Sequence, residues 1–423
     1  TAGIDFTQYF KNRLYYIDVK GMLSSLHGSA GAITALQNSV AHYYQRASSA
    51  DYLGVDPTRR SLTGTGGYVK VGRKGNAKWN FSETFTWSSP GFDLNDMGYM
   101  KETDYLMNET EIMYRQTDIW KIFRYNAFTL SQKNMWNYGG TPFSNNASLR
   151  WQSMTMNRYE WDVKETFAWN WLDSRLLRGG PDVRFGSYFL TSAKFNTDKA
   201  KRMMFMLKYE GDHNFEGNRF NTISPSLTFR LGNHVYLSGQ LDYAWNTDEM
   251  QYVATTSPLS SSSLAPYYYV MGHMDQKTYG LTLKLQVNVT PDISIQFYGA
   301  PFTSIAKYDD FKLAADTKSH TFENRFQRID PDQLTYADGV YTIGEGAGQM
   351  PFRNPDFRFN EFRSNLVARW EYLPGSTLYF VWEHRMSNRD NWYSSGWGSN
   401  LDRMWGLPAT NTFMIKMNYW FNL

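Results

Sequence analysis

The last eleven residues of the chain place a large apolar side chain at every odd position: Phe413, Ile415, Met417, Tyr419, Phe421 and Leu423. Thr412, Lys416, Asn418 and Asn422 are among the residues around and between them. A period of two is a strand with one apolar face. The same alternation runs through "LTLKLQVNV" (281 to 289), "VYLSGQLDYAW" (235 to 245) and "TLYFVWEHR" (377 to 385). It recurs in "RMMFMLKYE" from Arg202, "WDVKETFAWNW" from Trp161 and "FRSNLVARWEY" from Phe362. These segments run to about ten residues, the length of a transmembrane β-strand, whereas strands of soluble sheets are commonly about five or six.

The connections between them predict two alternating kinds. Short links fall at 10 to 13, 72 to 77, 117 to 121, 157 to 160, 196 to 201, 231 to 234, 289 to 292 and 373 to 376, rich in Gly, Asn, Asp or Pro. Longer ones fall near 27 to 59, 88 to 105, 134 to 146, 172 to 183, 211 to 219, 246 to 276, 302 to 360 and 387 to 410. Short turns on one side and long loops on the other are the habit of outer-membrane barrels. The pattern therefore predicts an all-β, antiparallel, up-and-down transmembrane barrel of about 16 to 18 strands, one domain over residues 1–423. A large soluble β-sandwich or jelly roll is the rival; a propeller would show a blade repeat, and none is present.

Counting the links gives seventeen strands, beginning at "GIDFTQYF", whereas bacterial single-chain barrels normally have an even number. The expectation is a C-terminal part of a longer barrel, with an odd number of strands and a signal peptide upstream and the C-terminus on the periplasmic side.

Composition narrows the picture. Mean hydropathy is -0.56 and no run approaches the roughly 20 apolar residues of a membrane-spanning helix. Yet 28 Phe, 15 Trp and 30 Tyr are present, residues that favour strands and membrane interfaces. Lys plus Arg total 43 against 40 Asp plus Glu, so nucleic acid is set aside as a partner. With no Cys there is neither a disulfide framework nor Cys-ligated zinc.

"GIDFTQYFKNR", "NSVAHYYQRASSADYLGVDPTRRSL", "WSSPGFDLNDMGYM", "FRSNLVARWEYLPGSTLYFVWEHR" and "FMIKMNYWF" together resemble one family. It is the uncharacterised outer-membrane barrel family, common in Bacteroidota, in which a carbohydrate-binding-module-like domain of the family-nine type precedes the barrel. The resemblance brings no catalytic residues. It implies a longer polypeptide and a role involving glycans.

Alternation divides lipid-facing from lumen-facing positions. The inward set includes Lys208, Glu210, Lys284, Gln286, Arg363, Arg369, Glu371, Glu383, Arg385 and Lys416. These either line a pathway for polar solutes or pair across strands and fill the interior. Arg363, Arg369, Glu371, Glu383 and Arg385 lie on two strands joined by "LPGS", where pairing that holds the wall is expected. Met414 and Trp420 break the rule by falling inward, which predicts a locally apolar wall or a segment packed there. In the loop "NWYSSGWGSNLDRMW", Trp392, Tyr393, Trp397 and Trp405 are the candidate substrate-binding residues, since aromatic faces with nearby amides suit a sugar ring. The plainer reading makes them interfacial residues or loop packing. Asp330, Asp332 and Asp338 do not follow an EF-hand spacing, so neither a metal nor another cofactor is assigned. No G-x-S-x-G, H-E-x-x-H or phosphate loop occurs, and no enzyme is expected. "GSAGAITALQNSVAHYYQR" predicts a short helix with Ala32, Ala35, Leu36 and Val40 along one side.

The sequence thus points to binding or passage of a polar, glycan-type substrate at the bacterial outer membrane, with lipid, lipopolysaccharide, glycans and other outer-membrane proteins as partners. A non-conducting subunit of a larger outer-membrane assembly is the alternative, and a loop-borne hydrolase a third.

Overall fold

The computed structural model describes residues 1–46, 51–75, 77–95, 98–232, 234–259, 267–391 and 397–421. The first eight strands are Ala2–Phe10 (β1), Tyr15–His27 (β2), Ser61–Arg73 (β3), Trp79–Ser88 (β4), Tyr105–Gln116 (β5), Phe123–Trp136 (β6), Pro142–Thr155 (β7) and Glu160–Trp169 (β8). Trp171–Asp173 (β9) and Val183–Phe185 (β10) form a small hairpin of their own. The wall continues with Tyr188–Asn196 (β11), Met203–Asn214 (β12), Arg219–Leu231 (β13), Val235–Thr256 (β14), Tyr268–Asn288 (β15) and Ile293–Ala314 (β16). Phe326–Arg328 (β17) pairs with the end of β16, and Leu334–Ala337 (β18), Val340–Ile343 (β19) and Met350–Arg353 (β20) make a separate three-stranded sheet. Phe357–Leu373 (β21), Ser376–Asp390 (β22) and Thr410–Asn418 (β23) complete the wall.

Among the described residues the main sheet is an antiparallel meander of seventeen strands in chain order, with β17 as a short eighteenth member. Its edges are β1 and β23, which pair with β2 and β22 alone, and every residue of both is exposed.

The register sorts the side chains onto two faces, because residues opposite each other in antiparallel strands share a face. One row runs Lys284, Tyr298, Asn365, Glu383 and Thr412 across five strands. The row displaced by one residue runs Leu283, Gly299, Ser364, His384 and Asn411, and below it lie Leu285, Phe297, Leu366, Trp382 and Phe413. The second face carries a continuous apolar belt, with Phe6 51%, Phe81 46%, Leu149 56% and Ile415 73% exposed. So much bare apolar surface on one face is the signature of contact with lipid rather than water.

Turn chemistry fixes the short side. Lys11, Asn12 and Arg13 all take positive φ between β1 and β2, and Gly375 at φ 79° makes the tight link from β21 to β22. On the other side two expected long connections are short: β6 and β7 are joined by 137–141, and β12 and β13 by 215–218. Two more shrink because their strands run on. β14, β15 and β16 are 22, 21 and 22 residues long, roughly ten more than a bilayer needs, and extend about 33 Å further. The connections expected at 246–276 and 302–360 are therefore 257–267 and 315–356. Other long-side connections are 28–60, 89–104, 170–187 and 391–409.

The extended strands carry the molecule's dry cores. Val270, Met274, Ala306, Tyr308, Phe311 and Leu313 pack against Ile343 and Phe352 of the small sheet. Met250 and Met271 pack against Leu177, Val183 and Phe326. Asp338 and Gly339, at φ 50° and 80°, form the two-residue turn between β18 and β19. Asp338 thus serves a hairpin turn.

The predicted helix forms over Ala30–Gln37 (α1), capped by Ser29, whose Oγ accepts the Ala32 N–H at 3.2 Å. Its buried side is Ile33 and Gln37, whereas Val40 is 69% exposed. The expected stripe of Ala32, Ala35, Leu36 and Val40 is therefore corrected: Gln37 is buried because it exchanges hydrogen bonds with the backbone of Asp56.

Candidate functional site

The register places Lys208, Glu210, Lys284, Gln286, Arg363, Arg369, Glu371, Glu383, Arg385 and Lys416 on the single polar face. Lys208 pairs with Glu210 at 2.7 Å along β12. Arg369 pairs with Glu371 within β21. Arg363 and Arg385 both reach one oxygen of Glu361, at 2.9 and 3.0 Å. Glu361 lies outside the strand expected from Phe362, because β21 begins five residues earlier, at Phe357. Glu383 stands opposite Asn365 and Thr412 rather than among the arginines. Lys284 and Gln286 line a recess of about 320 Å³ with Tyr236, Gln296, Tyr298 and Asn365. Val367, Val381 and Met414 share one row there, so the polar face is locally apolar at Met414. Trp420 lies beyond β23: its backbone N–H donates to Ser376 Oγ at 3.0 Å and its side chain packs over Gly375.

Of the four loop aromatics, Trp405 is the one whose side chain is described, and it does not join this face. Trp392 and Tyr393 lie outside the described residues, and Trp397 begins helix Trp397–Trp405 (α2). Trp405 sets its ring edge-on to Phe362 at 4.8 Å. Phe362 belongs to the apolar face, so Trp405 sits at the outer wall, as an interfacial aromatic does.

A different aromatic group faces a cavity at the long-connection end. The space of about 450 Å³ is lined by Trp171, Phe185, Tyr188, Leu190 and Phe220 together with Asp173, Asp212, Asn214, Asn218, Arg219, Asn246, Thr247 and Asp248. The Trp171 ring lies 5.3 Å from Tyr188 and 6.3 Å from Phe185. The β9–β10 hairpin holds Trp171 and Phe185 and the start of β11 holds Tyr188, while the end of β12, the turn after it and the middle of β14 supply the amides and acids. Burial raises the Asp248 carboxyl above its ordinary value, and the nearby Glu249 and Asp212 push the same way; the Met250 N–H opposes them through a 2.9 Å bond. The signal in sequence was the mixture of aromatic and acidic residues in "WNWLDSRLLRGGPDVRF", which reads as ordinary loop until the hairpin folds it back.

The neighbouring connections lock together around Asp104. Its carboxylate accepts bonds from Arg46 Nη2 and Tyr52 Oη, each at 2.6 Å, and from the Tyr138 N–H at 3.1 Å. Three connections thus meet on one buried acid. Burial, then the bond to Asp104, pushes the Tyr52 hydroxyl up. His42 is buried beside them, its Nε2 3.8 Å from Asp93, and burial pulls the ring down to about 4, against Asp93 and aided by Arg46.

The model of a family described as "Domain of unknown function (DUF5916)" matches residues 28–423. The chain belongs to the DUF5916 family. No curated protein matches this DUF5916 chain. In three dimensions it is similar to the crystal structure of the siderophore receptor PirA from Acinetobacter baumannii, at 9% identity and a TM-score of 0.40, over 98% of this chain and 70% of that one.

Proposed function

We propose that this DUF5916 chain forms an outer-membrane barrel wall that binds and passes a polar substrate at the cell surface, with a saccharide as the substrate class. The observation that carries the reading is the cavity of about 450 Å³ that Trp171, Phe185 and Tyr188 line together with amides and acids. A ring can cover the apolar side of a pyranose while Asn and Asp take its hydroxyls. The polar face with paired charges below it supports passage. On this reading the apolar belt meets lipid and lipopolysaccharide, the short turns and the C-terminus are periplasmic, and no catalytic step is involved. The family resemblance adds a preceding carbohydrate-binding-module-like domain.

Calorimetry with a saccharide panel, on the chain in lipid nanodiscs, tests the substrate class. Binding that weakens at least tenfold in Trp171→Ala is expected; no heat from any sugar sinks it. A second reading, a non-conducting subunit of an outer-membrane assembly, is favoured by the connections interlocked on Asp104. Planar-bilayer recording separates the two: steady current belongs to passage, silence to the subunit.

A further inference from the structure

The apolar face carries two glutamates at its centre. Counted from the short-turn end, the outward residues of β4 are Trp79, Phe81, Glu83, Phe85 and Trp87, and those of β8 are Trp161, Val163, Glu165, Phe167 and Trp169. Each glutamate takes the third of five outward positions, at mid-height of the belt. The same height in other strands is held by Phe6, Val69, Leu207, Leu227, Leu283 and Phe297. Both carboxylates have the same support: Thr110 Oγ1 donates to Glu83 at 2.6 Å and Thr191 Oγ1 to Glu165 at 2.7 Å, each from the next wall strand. Phe81 and Phe85 around Glu83 are 46% and 41% exposed, so these rings face the surroundings.

An ionisable group at this depth is unfavourable against hydrocarbon and marks function or a partner. One hydroxyl leaves a carboxylate most of its acceptor capacity. Four strand spacings separate β4 from β8, about 19 Å, so the two acids frame one face of the wall. We infer that the outward face from β4 to β11 docks a membrane-embedded segment of another protein that presents Lys or Arg to Glu83 and Glu165. Charge complementarity decides the occupant. A second copy fits poorly, because this chain sets no Lys or Arg at the corresponding central outward positions among its described residues. Lipid tails supply no donor at all.

A photoreactive amino acid at Phe85, and as a control at Leu283 on the far part of the wall, tests this in the full chain in its native outer membrane. Expected is a protein adduct from position 85 alone, whose cross-linked membrane-spanning stretch contains Lys or Arg. Charge reversal in E83K/E165K lowers that adduct at least tenfold while the barrel still folds by heat-dependent gel mobility. Adducts with lipid only, with a second copy, or with a stretch lacking a basic residue overturn the inference, as does an adduct undiminished by the reversal. The isolated chain gives a second readout. E83L/E165L should raise its unfolding midpoint in lipid; a lowered midpoint would mean that the acids serve their own wall, and the docking face would be withdrawn.

Discussion

Arg325 closes on Glu216 through two parallel hydrogen bonds, Nη1 to Oε2 at 2.9 Å and Nη2 to Oε1 at 2.8 Å, across 109 residues of sequence. The guanidinium is 1% exposed and also donates to the carbonyls of Arg184, Ser319 and His320. One side chain therefore ties the 315–356 connection to 170–187 and to the tip joining β12 and β13. Fork-to-fork pairing of this kind is strong when buried, and its loss leaves an uncompensated charge.

Glu216→Gln is accordingly expected to cost about 3 to 5 kcal/mol of docking free energy for the 315–328 segment. Hydrogen exchange is the measurement. Amides of that segment should lose protection by two orders of magnitude or more while those of β12 and β13 keep theirs. Unchanged protection would show that the hydrophobic contacts of Phe326 hold the connection unaided.

Asp104 combines a charge with backbone strain, since its φ is 63°. Asn tolerates that region nearly as well as Asp, whereas Ala does not. Asp104→Asn keeps one acceptor oxygen but loses the charge facing Arg46 and the second acceptor, at an expected cost of about 3 kcal/mol; Asp104→Ala loses both acceptors and meets the strain, and should cost about 1 to 2 kcal/mol more. Protease nicking within 28–60 and 89–104 reports both, and equal rates for the two variants would mean that neither strain nor the acceptor that Asn retains contributes.

The wall was legible because its physics is local. Alternation in "LTLKLQVNV" depends on nothing but the two-residue period, and Lys284 and Gln286 fell on the polar face as that period requires. The ends of the strands were not legible. Ile305 and Met271 are as apolar as belt residues, but they are buried by other parts of the chain, so β14 to β16 ran on where loops were expected. The aromatic cavity was hidden for the same reason. Trp171 and Asp248 are 77 positions apart in the chain and line one cavity only because a hairpin of two three-residue strands folds over the sheet. Glu83 was visible in "FSETF" as a break in an aromatic series, and its meaning emerged only once the register set its neighbours.

Gly64 lies where the 89–104 connection crosses β3. A Cβ there would sit 2.1 Å from the Phe92 nitrogen and 2.4 Å from the Gly91 carbonyl carbon, both backbone atoms that cannot yield. Gly64→Ala should therefore displace the whole connection, whereas Gly31→Ala, with open space around it in a helix, should be neutral or slightly stabilising. Limited proteolysis of the folded chain distinguishes the two. Resistance at 89–104 in Gly64→Ala would show that β3 gives way instead.

His42 makes the packing of these connections depend on pH. Burial holds its folded value at about 4, below the ordinary 6.5, so the unfolded segment binds the proton more readily than the folded one. Stability is then full above pH 6.5 and falls as the pH drops from 6.5 towards 4, where the folded ring itself becomes charged. At about 1.4 kcal/mol per pH unit the window carries about 3 kcal/mol at most. Exchange rates of amides in 30–46, followed from pH 7 to 4.5 after correction for intrinsic chemistry, should rise steeply in the native protein. In His42→Gln the same rates should stay nearly flat. Equal slopes in the two proteins would move the source of the acid sensitivity away from His42 and onto the carboxylates around it.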